Sequence, residues 1–328
     1  MIMTAGTRRN PRSKLYRTFA ILDPNLGRAI RKRLAILCLA LVQWQPAAAR
    51  IAGVTEEPAG QIGGIPVAVW TYPSDGLKVK GLLFLPRGSD RRPLILFNHD
   101  GVAGITKEHM RACARLARTR FAVFAPSYRG EDGSEGTIEV AAGEVRDVLN
   151  ALPLLNRVSG INGRKLAMVG VSHGALISVL AAARHREVDA VVTADGVMDI
   201  YGWWQHLGQT GKLGRDPLTR RVYGNGPEDK PRAFSTRHAL DQIPNLNAPV
   251  LILQGGRDDI VPPEQAHRLK AELEKARLPA TLKIYPRSRH AFLVYTPYLG
   301  DSTTPPERIE AEQAWQDLLG FLRKHLGP

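Results

Sequence analysis

The sequence predicts an α/β fold in which a mostly parallel central sheet has helices on both faces, and three observations support this prediction. Short apolar runs alternate with segments of helical periodicity along most of the chain. The 328 residues are 44% hydrophobic and 23% charged, which is ordinary for a globular protein and too apolar for a disordered one. The two cysteines are too few for a disulfide framework or a structural zinc cluster.

The first predicted elements form an antiparallel hairpin in front of the parallel strands. Ile65–Tyr72 and Leu77–Leu85 are apolar-rich, and the turn residues Pro73–Gly76 separate them. Six later apolar runs predict strands: Pro93–Asn98, Phe121–Ala125, Lys165–Val171, Val188–Ala194, Val250–Gln254 and Ala280–Tyr285. The segments between and after them predict helices: Lys107–Thr119, Glu139–Asn156, Gly174–Ala183, Pro263–Arg277 and Pro306–His325. Residues 196–247 lose this alternation, so we expect a small insertion over one end of the sheet, where α/β folds bind ligands.

Most of the positive charge lies at the amino-terminal end of the chain. Residues 1–50 hold ten Lys and Arg residues and one acidic residue, so they carry +9 of the formal net charge of +14. The rest of the chain is only mildly basic and has no dense basic stripe, which argues against a nucleic-acid partner.

The same segment has the layout of a secretory signal peptide. The basic residues Arg31–Arg33 precede the apolar run Leu34–Val42, and Ala47–Ala49 then offer an A-x-A cleavage site. The apolar run is too short to cross a bilayer, which takes about 20 residues. We therefore expect a basic segment with a signal peptide in residues 1–49, one domain in residues 50–328, and a periplasmic or secreted product. An uncleaved signal that anchors the protein, or a buried helix of the domain, is the alternative.

A candidate nucleophile lies between a predicted strand and a predicted helix. Gly170–Gly174 fits the pattern G-x-S-x-G, in which a sharp turn holds the hydroxyl of Ser172 above the sheet. The two glycines are needed because side chains at their positions would collide in so tight a turn. A glycine-rich turn with an inactive serine is the alternative interpretation.

A serine hydroxyl needs a base, and the chain supplies an acid and a histidine in the required order. Asp258 follows the predicted strand Val250–Gln254, and His290 follows the predicted strand Ala280–Tyr285. Parallel strands bring their carboxyl ends to one edge of a sheet, so Ser172, Asp258 and His290 are predicted to meet there as a catalytic triad. Asp259 is the alternative acid. We find no spaced cluster of metal ligands and no G-x-G-x-x-G after the first parallel strand, so no metal or cofactor is predicted.

These motifs resemble those of the α/β-hydrolase superfamily, and within it the chain is similar to the dienelactone hydrolase and prolyl oligopeptidase groups. The resemblance covers about residues 65–325 and is weak in the insertion. It is carried by four stretches: Asn98–Gly101, Phe121–Gly130 (FAVFAPSYRG), Gly255–Pro262 and Arg289–Phe292. Asp100 and Arg289 stand where glycine is usual in these groups, so both put the substrate preference in doubt. The alignment of the third stretch places the acid at Asp258.

The resemblance implies an α/β-hydrolase fold and the remaining parts of a hydrolase site. The backbone N–H groups of His173 and Gly101 are expected to form the oxyanion hole. Five side chains are expected to border the substrate pocket: Asp100, Tyr128, Trp203, Trp204 and Arg289. His99 is expected to hydrogen-bond within its own loop.

Three functions are compatible with these residues. The first hypothesis is an exported serine hydrolase that cleaves a carboxylic ester or a related acyl bond through an acyl-enzyme. The second is a serine peptidase of the prolyl oligopeptidase type, and the third is an inactive hydrolase fold that serves as a binding module. The expected partner is a small-molecule acyl substrate, with no nucleic acid and no membrane span beyond the signal segment.

Overall fold

A nine-stranded mixed sheet forms the centre of the computed structural model, which describes residues 51–88, 90–214 and 216–327. Its strands are β1 (Thr55–Ile62), β2 (Ile65–Ser74), β3 (Leu77–Phe84), β4 (Arg92–Asn98), β5 (Ala122–Pro126), β6 (Ile161–Val171), β7 (Ala190–Ala194), β8 (Val250–Gly255) and β9 (Ala280–Tyr285). The order across the sheet is β1-β2-β3-β5-β4-β6-β7-β8-β9. The first three strands and β5 pair antiparallel, and all pairs from β5 to β9 are parallel.

Helices cover both faces of this sheet. They are α1 (Lys107–Arg118), α2 (Gly143–Leu155), α3 (His173–Ala182), α4 (Ile200–Gln209), α5 (Pro217–Tyr223), α6 (Pro231–Ser235), α7 (Glu264–Lys275), α8 (Phe292–Tyr295) and α9 (Pro305–Leu326). Side chains of β4 alternate between the two faces of the sheet, as expected for a strand. Leu94 and Leu96 pack with α2, α3 and α7 on one face. Ile95 and Phe97 pack with α1 and α9 on the other face. Every residue of β4 is buried, which explains its continuous apolar pattern.

The predicted α/β-hydrolase fold is confirmed, with its parallel strands, its antiparallel hairpin and helices on both faces. The structure adds β1, which the sequence analysis did not predict. It also shortens one predicted helix: α2 begins at Gly143, because Val140 and Ala141 adopt left-handed backbone angles of +56° and +58°. The buried carboxylate of Glu144 holds this turn by accepting the N–H group of Val140 at 2.8 Å.

The predicted insertion consists of α4, α5, α6 and a 3₁₀ helix at Ala239–Asn245. Asp199 caps α4 by accepting the N–H groups of Tyr201 and Gly202 at 3.1 and 3.0 Å. An aromatic cluster that includes Tyr223 and Phe234 joins these helices to Val261, which follows β8. The insertion therefore lies at the carboxyl edge of the parallel strands, as predicted.

The predicted signal peptide and the boundary at residue 49 lie outside the described residues. Among the residues that the structure does describe, no helix combines the length and the apolar character needed to cross a membrane.

Candidate active site

Ser172 occupies a strained turn between β6 and α3. Its φ of +51° is unusual for a residue with a side chain. A Cβ atom on Gly170 would lie 2.1 Å from the carbonyl oxygen of Gly174, and one on Gly174 would lie 2.1 Å from that of Asn98. The backbone passes so close at both positions that only glycine fits, which explains the G-x-S-x-G spacing. The turn leaves the Ser172 side chain at the carboxyl edge of the sheet.

His290 lies between Ser172 and Asp258. Its Nδ1 atom donates to Asp258 Oδ2 at 2.7 Å, and its Nε2 atom accepts from Ser172 Oγ at 2.9 Å. These two contacts fix the tautomer, because a carboxylate oxygen accepts the Nδ1 proton and leaves Nε2 free to take the proton of the hydroxyl. The structure thus brings together the three residues predicted from separate strand ends.

Backbone N–H groups fix the orientation of the Asp258 carboxylate. Its Oδ1 atom accepts from Ile260 and Val261 at 2.9 and 2.8 Å, and the side chain is fully buried. Gln254 donates to the carbonyl oxygens of Gly255 and Val261 at 3.1 Å. These bonds hold the loop after β8, and the second carboxylate oxygen, Oδ2, accepts from His290 at 2.7 Å and from Gln254 at 3.5 Å.

Asp259, the alternative acid, points elsewhere. Its side chain is mostly exposed and pairs with Lys212, whose ammonium group also donates to the Asp259 carbonyl oxygen at 2.8 Å. The hydrogen bond from Lys212 holds the pKa of Asp259 below its usual value. The geometry therefore favours Asp258 as the partner of His290.

The charges around His290 favour its protonated form. Burial lowers the pKa of the imidazole, but the hydrogen bond to Asp258 and the charges of Asp258, Asp195 and Asp100 outweigh burial and raise the pKa overall. A base with this environment can accept a proton and hold the resulting positive charge.

The two predicted oxyanion donors lie on segments that contact each other. His173 is the first residue of α3, and its Nδ1 atom donates to the carbonyl oxygen of Gly101 at 2.9 Å. Burial lowers the pKa of His173 to about 4, so its ring is neutral near pH 7. Within the residues described, the N–H groups of His173 and Gly101 donate to no protein acceptor, which leaves both available for an oxyanion.

A polar layer supports the loop that carries Gly101. His109 accepts the N–H group of Thr106 through Nδ1 at 3.0 Å, so its Nε2 atom carries the proton and donates to Asp100. Tyr295 also donates to Asp100, at 3.1 Å. His109 and Tyr295 were not singled out from the sequence, and only their place near the predicted loops could have pointed to them.

A second set of contacts fixes the other side of this loop. Glu131 accepts the N–H group of Gly104 at 3.0 Å, and its Oε2 atom lies 3.2 Å from Nε2 of His99. His99 also contacts the Asp100 carbonyl oxygen through Nδ1 at 2.9 Å, which agrees with the predicted role within its own loop. The position of Gly101 is therefore set by buried polar groups and not by the loop alone.

The predicted pocket residues do not behave alike. Asp100 is partly exposed beside Gly101, so it can border a substrate. Tyr128 cannot line an open pocket, because it is fully buried and its ring packs on His99 at a centroid distance of 4.5 Å. The side chain of Arg289 is 75% exposed and lies 3.6 Å from Glu307, at the start of α9.

The two tryptophans support the insertion and the acid loop. Trp203 donates its indole N–H to the carbonyl oxygen of Ile260 at 3.0 Å, two residues after Asp258. Trp204 packs edge-on against Phe234 at 5.2 Å, inside the aromatic cluster of the insertion. Trp203 thus connects α4 to the acid loop, whereas Trp204 stabilises the insertion itself.

Asp195 is a further carboxylate near the triad. One ligand atom from each of Asp195, Asp258 and His290 lies within 4.8 Å of the others, so these are the described residues most suited to a metal ion. Two of the three are already engaged with each other, because His290 Nδ1 donates to Asp258. The donors are therefore arranged for proton transfer and not for metal binding.

A surface groove of about 660 Å³ lies apart from this site, between β9 and α9. Its walls include Lys283, Tyr285, Ile309 and Glu310, and none of the three triad residues lines it. We do not assign the substrate to this groove.

Known proteins resemble this chain in sequence and in fold. The sequence pattern of the dienelactone hydrolase family matches residues 79–326. The chain is 27% identical over 222 residues to the Bacillus subtilis protein named "Uncharacterized peptidase YtmA", covering 67% of this chain and 84% of that protein. It is 25% identical over 279 residues to the Salmonella typhimurium protein named "Putative carboxymethylenebutenolidase", covering 81% of this chain and 90% of that protein.

The fold is also similar to solved structures of peptidases. The Pyrococcus horikoshii acylaminoacyl peptidase superposes with a TM-score of 0.66 and 16% identity over 83% of this chain. The chain spans 42% of the length of that peptidase. At this identity the similarity supports the fold alone.

Proposed function

The chain belongs to the dienelactone hydrolase family, and from this we propose that it is a serine hydrolase that cleaves carboxylic esters through an acyl-enzyme. One observation carries the proposal: His290 hydrogen-bonds both Ser172 and Asp258, at 2.9 and 2.7 Å. This is the arrangement in which a serine hydroxyl becomes a nucleophile at neutral pH.

In the first half of the proposed reaction, Ser172 Oγ attacks the acyl carbonyl while His290 Nε2 takes its proton. Asp258 holds the imidazole in the required tautomer and stabilises its positive charge. The negative charge on the carbonyl oxygen is stabilised by the N–H groups of His173 and Gly101, and each such donor is worth about 10²–10³ in rate. His290 then gives the proton to the leaving alcohol, and an acyl-enzyme remains.

Water completes the cycle. With the alcohol gone, His290 takes a proton from a water molecule that attacks the acyl-enzyme, and the same two N–H groups stabilise the second oxyanion. His290 returns the proton to Ser172 Oγ as the carboxylic acid leaves.

The charge beside the site favours an uncharged ester. Asp100 adjoins Gly101, and its charge contributes to the raised pKa of His290, so it acts at the reacting centre. A substrate that carries a carboxylate near the scissile bond would be repelled there. This distinguishes our proposal from the anionic lactone that the name of the Salmonella relative implies.

A serine peptidase is the second candidate, and the name of the Bacillus relative favours it. The triad could act on an amide in the same way, because His290 can protonate an amine as it leaves. Rates on p-nitrophenyl acyl esters and on proline-linked anilides would separate the candidates. Faster anilide cleavage at equal concentration would overturn the ester assignment.

The main test compares the wild type with Ser172→Ala on p-nitrophenyl butyrate. We expect kcat to fall by about 10⁶-fold in Ser172→Ala, to the background rate. Ser235→Ala, on the exposed surface of α6, is the matched control and should keep the wild-type rate. Equal rates for Ser172→Ala and the wild type would refute the nucleophile. A wild type that neither hydrolyses esters nor reacts with a fluorophosphonate would favour the binding-module hypothesis.

For localisation we propose export to the periplasm or beyond the cell, directed by residues 1–49. The basic flank, the apolar run and the A-x-A site support this proposal. Sequencing the amino terminus of exported protein should find Arg50 as the first residue. A product that retains Met1 would contradict cleavage and favour a membrane anchor.

A further inference from the structure

Asp195 is a second carboxylate beside the hydrogen-bonded group formed by Ser172, His290 and Asp258. It follows β7 directly, and its backbone N–H donates to the carbonyl oxygen of Leu253 at 3.0 Å, on the neighbouring strand. Its side chain is fully buried, and its φ is +51°. A buried carboxylate on strained backbone is costly to maintain, which is typical of a group with a function.

The contacts of Asp195 reach both loops that carry its neighbours. Its Oδ1 atom accepts the N–H group of Gly255, where the acid loop begins, at 2.8 Å. The backbone of Ala291, the residue after His290, lies close enough to help lower the pKa of the carboxylate. One side chain therefore holds the backbone of the acid loop and lies beside the backbone of the histidine loop.

The second oxygen of Asp195 has no hydrogen-bond partner although it is buried. One ligand atom each from Asp195, Asp258 and His290 lies within 4.8 Å of the others. Unpaired buried oxygens are rare in folded proteins. This oxygen of Asp195 is therefore free to interact with the positive charge that His290 carries when it is protonated.

Asp195 and His290 influence each other's protonation, and the charge of Asp258 acts on both. Burial and the charge of Asp258 raise the pKa of Asp195, while the charge of His290 and backbone hydrogen bonds oppose this rise. In turn, the charge of Asp195 adds to that of Asp258 and Asp100 in raising the pKa of His290. Asp258 and His290 are the charged groups facing Asp195, from the loops after β8 and β9.

We propose that Asp195 is a second acid of the site: a positioning residue that holds the acid loop and whose negative charge stabilises His290 when His290 holds the serine proton. The inference rests on the proposed serine hydrolase function. Asp195 acts through His290 and does not touch the substrate. When Asp258 is absent, Asp195 is the nearest remaining carboxylate and stabilises the imidazolium in its place.

The test measures kcat/KM on p-nitrophenyl butyrate against pH for the wild type and three variants. These are Asp195→Asn, Asp258→Ala and the double variant, with Asp259→Asn as the matched control. Asn at position 195 keeps an oxygen for the N–H group of Gly255 but removes the charge. We expect the acid limb of Asp195→Asn to move to lower pH, because the pKa of His290 falls when the charge of Asp195 is lost. Asp259→Asn should keep the wild-type profile.

The Asp258→Ala variant shows the contribution of Asp195 by itself, because the first acid is absent. Loss of the Asp258 charge removes one of the two causes that raise the pKa of Asp195, so a larger fraction of Asp195 is ionised near neutral pH and the residual rate depends on it. We expect the double variant to be roughly tenfold or more slower than Asp258→Ala, since one pKa unit corresponds to tenfold. Equal residual rates would overturn the proposal.

A purely structural role for Asp195 would give a different result. Asp195→Asn would then lower the melting temperature and kcat but leave the acid limb in place, and this result would overturn the proposal. If Asp195→Asn does not fold, the pH profile of the wild type provides the test. Coupled ionisation of Asp195 and His290 predicts an acid limb of kcat/KM that is broader than a one-proton curve, and a one-proton curve would contradict the proposal. Fluorophosphonate labelling of the wild type separates failure of this inference from failure of the proposed hydrolase function. If the wild type is labelled but Asp195→Asn changes neither the pH profile nor the residual rate, the role of Asp195 is refuted and the hydrolase function is not.

Discussion

Gly174→Ala tests whether backbone packing sets the geometry of the nucleophile. The new Cβ atom would lie 2.1 Å from the carbonyl oxygen of Asn98 and 2.5 Å from that of His99. Both are backbone atoms that cannot swing away. Reaching even 3.0 Å from Asn98 requires a displacement of about 0.9 Å, and α3 with Ser172 is the segment able to move.

Two effects on stability oppose each other in this variant. Alanine is favoured over glycine in a helix by about 1 kcal/mol. Overpacking against fixed atoms costs about 1–3 kcal/mol or more, so we expect a net loss. A loss of 1 kcal/mol lowers the melting temperature by about 2–4 °C in a protein of this size.

The effect on rate should be larger than the effect on stability. A displacement of about 1 Å in a catalytic group can cost about 10²-fold, so kcat/KM on p-nitrophenyl butyrate should fall by that order. Gly320→Ala is the matched control, because Gly320 is an exposed residue of α9 with nothing within 4 Å of the new Cβ atom. It should gain about 1 kcal/mol and keep the wild-type rate.

One result would refute this reasoning. Gly174→Ala would have to keep the wild-type kcat/KM and have a melting temperature as high as that of Gly320→Ala. The close approach of residue 174 to the carbonyl oxygen of Asn98 would then not constrain the turn that holds Ser172.

Two further predictions concern the surroundings of the triad. Asp100→Asn should move the acid limb of kcat/KM to lower pH by about half a unit or less, because one of the charges that raise the pKa of His290 is lost. The same variant should improve the relative rate on an anionic p-nitrophenyl ester, and an unchanged ratio to the neutral ester would contradict the proposed repulsion. Trp203→Phe loses the hydrogen bond to Ile260, so thermal unfolding should show a loss of about 1 kcal/mol and kcat should fall several-fold. An unchanged kcat would show that the acid loop does not depend on α4.

The buried strands could be predicted because both of their faces are covered. In β4 all seven residues are buried, so the run from Pro93 to Asn98 is almost continuously apolar. β1 was missed for the opposite reason: it is an edge strand with most residues exposed, and Pro58 and Gly60 interrupt any pattern. An edge strand is held by backbone pairing, which side-chain periodicity does not report.

The candidate site could be predicted where a motif fixes local geometry. The glycines around Ser172 and the strand ends before Asp258 and His290 indicated the positions that the structure brings together. The surroundings could not be predicted, because they depend on packing between distant segments. Tyr128, which was expected to border the substrate pocket, is fully buried and packs on His99, and the exposed side chain of Arg289 lies beside Glu307.

The start of α2 shows the same limit. The sequence from Glu139 onward has helical periodicity, but the structure delays the helix until Gly143. Arg237, from the end of the insertion, donates at close range to the carbonyl oxygens of Glu139 and Val140 and keeps this segment out of the helix. A contact that joins residues about a hundred positions apart leaves no local signal.

The most direct measurement of the central claim is the site of fluorophosphonate modification, read by intact mass and peptide mapping. The account predicts one adduct per chain, located on Ser172, and strongly slowed labelling in His290→Ala because the hydroxyl then lacks its base. An adduct on another residue, or labelling of His290→Ala at the wild-type rate, would contradict it.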